Sequence, residues 1–390
     1  MIASQPIPHS ASATCQAWIR RLGLSRFRNY HQLALTLDER SIILIGPNGA
    51  GKTNIMEAVS LMAPGRGLRR AKRDQFMHNG GDQSSSVSDT GQPWRWTISC
   101  EAVTELGAFR AGTGEDSHQE NSRRVIRIDG ETASQAALAE RLAISWLTPD
   151  MDGILAGSPS ERRRFLDRLV IAFDPAHAGR LSRYERAMRQ RNRLLEDQAE
   201  DRWLTAVEQE LAATGVAIIA ARQAMVEALD HEASIPIAGF PAARLLMTGT
   251  AENWLKMMPA VDVEDRILAT ARHQRQNGEL HMPGAHNSLL EVRHSQTGQM
   301  AETSSTGEQK SLVISVILAH ARLQNQRLAR PPVLLLDDIV SHLDAERRLA
   351  LFDLTAALPG QVWFSGTDSM SFAPISRNAN VIHLDKGQVV

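Results

Sequence analysis

The run Gly46-Pro47-Asn48-Gly49-Ala50-Gly51-Lys52-Thr53 has the residue types and spacing of a triphosphate cradle. It fits GxxxxGK[ST] between an apolar run at 42–45 and a helical pattern over 54–62, the strand–loop–helix setting that the motif requires. Glycines let successive N–H groups turn toward phosphate oxygens with no Cβ in the way, and the following helix adds its positive end. Lys52 would neutralise the β- and γ-phosphates, and the Thr53 hydroxyl would ligate Mg²⁺. A second chemical feature is the apolar run Val333 to Leu336, which ends in Asp337-Asp338. A buried strand would carry Asp337 to the sheet edge as a metal carboxylate acting through water, leaving Asp338 to orient or deprotonate an attacking water. An apolar run ending in two acids is weak evidence alone; with the phosphate loop it points to nucleoside triphosphate hydrolysis.

Lys52 and Asp337 are 285 residues apart, more than one ordinary domain. Upstream of the acidic strand stands Ser304-Ser305-Thr306-Gly307-Glu308-Gln309-Lys310-Ser311, opening a helical run over Leu312 to Ala321, and Ser341-His342-Leu343-Asp344 follows it. Ser and Gly at a helix start form a second anion site, one without a lysine. Together these segments resemble the ABC-type ATPase set: Walker A, a signature at Ser305 to Glu308, Walker B and a D-loop. The resemblance implies an ATP-sandwiched homodimer in which Ser305 and Gly307 of one copy close on the γ-phosphate held by the other. The wide split resembles the SMC branch, whose two half-heads flank an inserted arm.

The elements that must position these residues read as mixed α/β at both ends of the chain, with charged helical sequence from about Pro159 to Ala233 between them. Within it Leu204, Val207, Leu211, Thr214, Ile218, Ala221, Met225 and Ala228 form a 3-4 seam, read as an amphipathic helix packed on its neighbours. Arg124 to Ile128, a turn at Asp129-Gly130 and a helix-like run over 134–142 continue the mixed α/β region, and a strand is expected over 361–364. Gly80 to Gln92 and Gly112 to Ser122 are read as surface loops. The fold class expected is α/β, an ABC/SMC-type ATPase head split by an inserted, mainly helical arm. Its boundaries are 1–158 for the Walker A half, 159–285 for the arm and 286–390 for the half with signature, Walker B and D-loop.

The chain's 390 residues suffice for two or three domains, and a net charge of −1 excludes a polycationic coat protein. Its longest apolar candidate, Leu312 to Ala321, is too short for a membrane helix, the first seventeen residues lack a signal-peptide core, and Cys15 and Cys100 form no CxxC. A cytoplasmic protein is the expectation. The thirteen histidines show no HExxH spacing, and no GxSxG surrounds Ser305.

Further segments resemble the RecF family: Leu24-Ser25-Arg26-Phe27-Arg28-Asn29-Tyr30, Gly65-Arg66-Gly67-Leu68-Arg69, Trp146 to Asp150, Gly157 to Asp167 with its RR-x-FLD block, Tyr184, and Gln190-Arg191-Asn192-Arg193-Leu194-Leu195. The resemblance covers about residues 19 to 390. It implies a slow, DNA-stimulated ATPase used as a switch, with ATP and Mg²⁺ as cofactors. It also implies a role in recombinational repair, replication and the SOS response, loading recombinase at single-strand gaps with a RecR-like mediator. Three positions depart from the family pattern: Gly284-Ala285-His286-Asn287-Ser288 lacks the usual Arg, Glu308 replaces Gln, and Asp338 stands where most ABC ATPases have Glu. With no switch histidine, Thr367 and Asp368 are the γ-phosphate sensors expected after the strand at 361–364.

Basic residues cluster at Arg66, Arg69, Arg70, Lys72 and Arg73, at Arg162 to Arg164, and at Arg183, Arg186, Arg189, Arg191 and Arg193. Arg-rich clusters suit bidentate phosphate contact, so sequence-independent binding to single-stranded, gapped or duplex DNA is expected. A groove neutralising about six phosphates would lose roughly a thousandfold in affinity between 50 and 200 mM salt. Two other classes share the motifs. A transporter nucleotide-binding subunit would hold them within one domain of about 250 residues, and a scaffold would bind nucleotide without needing hydrolysis.

Overall fold

A computed structural model describes residues 15–71, 73–77, 86–87, 93–116, 124–277 and 281–390. The chain forms two compact units: residues up to Pro149 together with Gln324–Val390, and Asp150–Leu323. The expected boundaries follow the motifs, whereas packing places 286–323 with the residues before it. The cause is pairing in the second unit. A strand over 289–294 joins one over 243–248, and Lys310 forms an ion pair with Asp152 at 3.0 Å.

In chain order the first unit contributes β1 (Trp18–Phe27), β2 (Tyr30–Thr36), β3 (Ser41–Ile45), α1 (Lys52–Ser60), β4 (Ser86–Val87), β5 (Pro93–Thr104), β6 (Gly107–Asp116), β7 (Arg124–Ile128), β8 (Glu131–Thr132), α2 (Gln135–Arg141) and β9 (Ile144–Leu147). The second unit follows with α3 (Pro159–Ile171), α4 (Ala176–Glu196), α5 (Asp201–Ala233), β10 (Ala243–Thr248), α6 (Thr250–Leu255), α7 (Ala260–Gln276), β11 (Leu289–His294) and most of α8 (Thr306–Leu328). The chain then returns to the first unit with β12 (Val333–Leu336), α9 (Ala345–Ala356), β13 (Val362–Gly366), β14 (Ala379–Asp385) and β15 (Gln388–Val389).

Two sheets build the first unit. One is antiparallel in the order β2-β1-β5-β6-β7-β8, with β4 on β5; the other runs β15-β14-β3-β13-β12-β9. In the latter, β14, β3, β13, β12 and β9 are mutually parallel. Parallel strands covered on both faces need continuous apolar sequence, and ISWL, VLLL and VWFSG are buried throughout. The register puts β13 between β3 and β12, so the phosphate loop and the acidic strand end lie one strand apart at the carboxyl edge.

The segment from Gly112 to Asp116, expected within a loop, continues β6 opposite β5. A Cβ at Gly114 would stand 2.7 Å from the Trp96 carbonyl and 2.9 Å from the Trp94 ring. Its glycine therefore serves close strand approach rather than a turn. Residues 117–122 lie outside the described residues, as does most of the other expected loop, of which 86–87 form β4.

In the second unit α5 buries its seam residues Leu204, Val207, Leu211, Ile218 and Met225, together with a second stripe that includes Ala212, Ile219 and Leu229. The sequence expectation that Leu312 to Ala321 is the longest apolar candidate is corrected by the fold: among the described residues it is α5 that is, by length and composition, apolar enough to cross a bilayer. It nevertheless buries Glu208, Arg222 and Glu232 in ion pairs, as a core helix does.

Candidate nucleotide-binding site

The loop leaving β3 turns through Gly49 (φ 81°) and Gly51 (φ 108°) into α1. At Gly51 a Cβ would lie 2.3 Å from the Tyr30 hydroxyl and 2.7 Å from Asn29 Nδ2, so the residue must be glycine on steric as well as conformational grounds. Gly51→Ala should weaken nucleotide binding at least tenfold, since strain of about 1–2 kcal/mol at positive φ adds to the collision. Calorimetric titration of the variant checks it, and wild-type affinity would contradict it.

Lys52 is buried, and its Nζ donates to the carbonyls of Gly46 (2.6 Å) and Pro47 (2.9 Å). Burial lowers its pKa, against the opposing charges of Asp338 and Asp337. The Thr53 hydroxyl donates to Asp337 Oδ1 at 3.2 Å, bridging 284 residues of sequence. Ser365, at the end of β13, donates to the same oxygen at 2.6 Å and accepts the Asp338 N–H at 2.9 Å. Burial raises the Asp337 pKa, opposed by the hydrogen bonds from Ser365 and Thr53. Asp338 holds φ 52°, and its Oδ1 accepts the Ser341 hydroxyl at 2.7 Å.

These groups line one cavity of about 140 Å³ with Asn48, Gly49, Gly51, Asn54 and Arg69. Arg69 donates to Asn54 Oδ1 at 2.6 Å and reaches Glu57 at 3.5 Å; Glu57 is fully buried and accepts from Arg28 Nε and Nη2, each at 2.7 Å. A larger cavity of about 400 Å³, lined by Thr104, Leu106, Arg141 and Arg330 among others, contains none of the motif residues.

The structure thus gathers Gly46 to Thr53, Asp337 and Asp338 at one strand edge. Ser305 and Gly307 belong to the second unit, at the start of α8, which begins six residues before the expected Leu312. Both are exposed. Ser305 donates its N–H and hydroxyl to Glu308 Oε2 at 2.8 and 2.9 Å, and Glu308 N–H donates back to Ser305 Oγ at 3.4 Å. That is a capping box, and it gives the Glu that departs from the family pattern a structural use. The turn is held on either side by ion pairs of Arg162 with Glu302 and of Lys310 with Asp152.

Thr367 and Asp368 do not line the cavity. Asp368 is exposed and accepts from Met370 N–H at 2.9 Å, and those local hydrogen bonds lower its pKa. Ser365 lines the cavity instead, as does Asn54, two positions that sequence reasoning missed, and Arg69, expected in a DNA-binding cluster, lines it as well. The signal was slight: a serine closing an apolar run whose neighbours in the sheet are unknown. The basic clusters also divide. Arg162 and Arg191 are buried in ion pairs, the latter with Glu208 at 2.9 Å, and Arg163 donates to the Ser288 carbonyl at 2.9 Å. Lys72 and the Arg73 side chain lie outside the described residues. The 284–288 segment closes on the second unit's interior, with Tyr184 Oη 2.6 Å from His286 Nδ1 and Arg222 donating to the Ala285 carbonyl at 2.6 Å.

The sequence matches the RecF/RecN/SMC N-terminal domain family over residues 18–364. It is 42% identical to the DNA replication and repair protein RecF of Rhizobium rhizogenes strain K84 across 96% of this chain and 98% of the relative. It is 41% identical to the protein of that name from Rhizobium meliloti strain 1021 across 96% and 99%. The chain belongs to the RecF family. Among solved structures, the recombination mediator protein RecF-ATPrS superposes with a TM-score of 0.79 at 18% identity, over 97% of this chain and 99% of that one. An Smc head domain derived from Pyrococcus furiosus gives 0.52 at 16% identity, over 96% of each chain. RecF-family membership makes this an SMC-type ATPase head, α/β in class, within a family of DNA replication and repair proteins, and displaces the transporter-subunit reading.

Proposed function

We propose that this protein is an ATP-driven switch that binds DNA during recombinational repair and replication. The observation that carries the reading is the single hydrogen-bonded chain Thr53–Asp337–Ser365–Asp338 beside Lys52 in one cavity. ATP would lie along Gly46 to Thr53, where backbone N–H groups and the end of α1 meet its phosphates. Lys52, now held by loop carbonyls, would exchange them for β- and γ-phosphate oxygens. Thr53 and Asp337 fit a Mg²⁺ ion: a hydroxyl and a carboxylate lie 3.2 Å apart, and burial penalises the charge on Asp337. A bound Mg²⁺ would neutralise phosphate charge there. Asp338 faces the same cavity and would orient or deprotonate the attacking water.

The solvent-facing Ser305 turn suits a second copy's γ-phosphate, giving an ATP-dependent homodimer. Two solved structures of the recombination mediator protein RecF in the RecFOR pathway are RecF-ATP and RecF-ATPrS, which supports ATP binding and work with a RecR-like mediator. Binding to gapped DNA, recombinase loading, an SOS role and a cytoplasmic location follow from the family reading. Hydrolysis is expected to be slow, because Asp338 is a methylene shorter than Glu and Ser341 already holds one of its oxygens.

The test is particle mass by light scattering with and without ATP, and with and without gapped DNA. A monomer under every condition would refute the switch. Ser305→Arg should abolish ATP-dependent dimerisation while the separate Walker A unit still binds nucleotide, because a bulky cation replaces a small anion-binding hydroxyl. A dimer formed at wild-type concentration would contradict the role of that turn.

A further inference from the structure

We infer that the face of α4 bearing Arg183, Arg186, Arg189 and Arg193 is a binding surface for the phosphates of duplex DNA, an assignment that rests on the DNA-binding reading above. Sequence alone presents three basic clusters as equivalent; the fold turns Arg69 of the first to the phosphate cavity, leaves Arg164 as the one exposed arginine of the second, and keeps a row of four exposed together only on α4. Arg162, Arg163, Arg180, Arg191 and Arg222 are consumed by carboxylates or carbonyls inside the second unit. Arg183, Arg186, Arg189 and Arg193 are exposed, and none forms an ion pair with a described residue. Their steps of three, three and four residues place them within about 120° of helix arc and along about 15 Å of axis.

The opposite side of α4 is anchored. Tyr184 and Ala187 are buried, and Arg191 pairs with Glu208 at 2.9 Å, its side chain 2% exposed. The stripe is thus mounted on a fixed helix, so ordering it on a ligand costs side-chain entropy but no backbone entropy. Glu185, the only acid between Arg183 and Arg193, lies four residues before Arg189 and borders the stripe, so it offsets at most one of the four charges.

The chemistry of the face selects the ligand. Four guanidinium groups present bidentate donors suited to phosphate oxygens. A protein partner would need an apolar anchor, and α4 has no exposed large hydrophobic residue. A single strand would gain from aromatic stacking, and Tyr184, the only aromatic residue of α4, is buried. What remains is recognition of a regular array of phosphates, the property of a duplex backbone.

The experiment uses the full chain carrying R183Q/R186Q/R189Q/R193Q, with ATP present, and measures binding to a labelled duplex and to a labelled single strand between 50 and 200 mM NaCl. With one phosphate per arginine, the slope of log affinity against log salt should fall by about 3.6 for the duplex, so the wild type should lose about 150-fold more affinity across that range. The single strand should be affected less. Gln keeps helix propensity close to that of Arg, and R183Q/R186Q, expected to lower the slope by about 1.8, carries the test should the fourfold variant fail to fold. Wild-type duplex affinity and slope in a folded variant would overturn the assignment, as would an equal loss on single strands. If the wild-type protein itself bound no DNA with ATP, the DNA-binding reading and with it the stripe's assignment would be overturned, an outcome distinct from wild-type binding by the variant.

Discussion

Asp338→Asn should slow ATP hydrolysis about 10²–10⁴-fold, the usual contribution of a positioned general base, and leave an ATP-loaded dimer that stays on DNA. The substitution is informative because of the backbone. Asp338 sits at φ 52°, a left-handed conformation that Asn tolerates and most residues do not. Asn keeps the shape of the side chain and an oxygen to accept the Ser341 hydroxyl, now 2.7 Å from Oδ1, while its amide cannot take a proton. Asp338→Ala would confound lost chemistry with backbone strain. Phosphate release and particle mass in ATP, measured on the same sample, test the expectation. Undiminished turnover would show that another group activates water, and a lost dimer would show that Asp338 acts in assembly instead.

Arg222→Met should destabilise the second unit by about 3–5 kcal/mol, the cost of removing one partner from a buried ion pair. Arg222 pairs with both oxygens of Asp167 at 2.8 Å, and its remaining nitrogen donates to the Ala285 carbonyl and to Ser288 Oγ at 3.1 Å. Side-chain exposures of 4% and 10% leave almost no water to take over. After substitution Asp167 would keep only His177 Nε2, at 2.9 Å. Hydrogen exchange along α3 and α5 checks it, and unchanged protection would place the stability elsewhere.

The same network has a defined pH response. Burial raises the Asp167 pKa, but hydrogen bonds from His177 and Arg222 and the charge of Arg222 outweigh it, so the folded value is lowered. The unfolded chain then binds more protons in the acid range. Its stabilisation is present above the ordinary carboxylate value and lost as pH falls through the depressed one. Glu252 has the opposite sign: burial raises its pKa, so its contribution is present at low pH and lost as pH rises through the folded value.

Gly46 to Thr53, the acids ending β12, the signature turn and the RR-x-FLD block are contiguous runs whose chemistry depends on residue type and spacing. From these the sequence alone determined the family, the fold class and the core of the phosphate site. The strands over 333–336 and 361–364 and the amphipathic α5 were legible because period and apolarity are local properties. Tertiary structure decided what depended on distant neighbours. Ser365 became the bridge between Asp337 and Asp338 because β13 lies between β3 and β12. Arg69 turned to the phosphate cavity, and Arg162 and Arg191 were drawn into ion pairs, leaving the α4 stripe exposed. Gly114 pairs within β6, and it is glycine because Trp94 and Trp96 leave no room there for a Cβ. These outcomes depend on which elements the fold packs side by side, which no local pattern of residue types encodes.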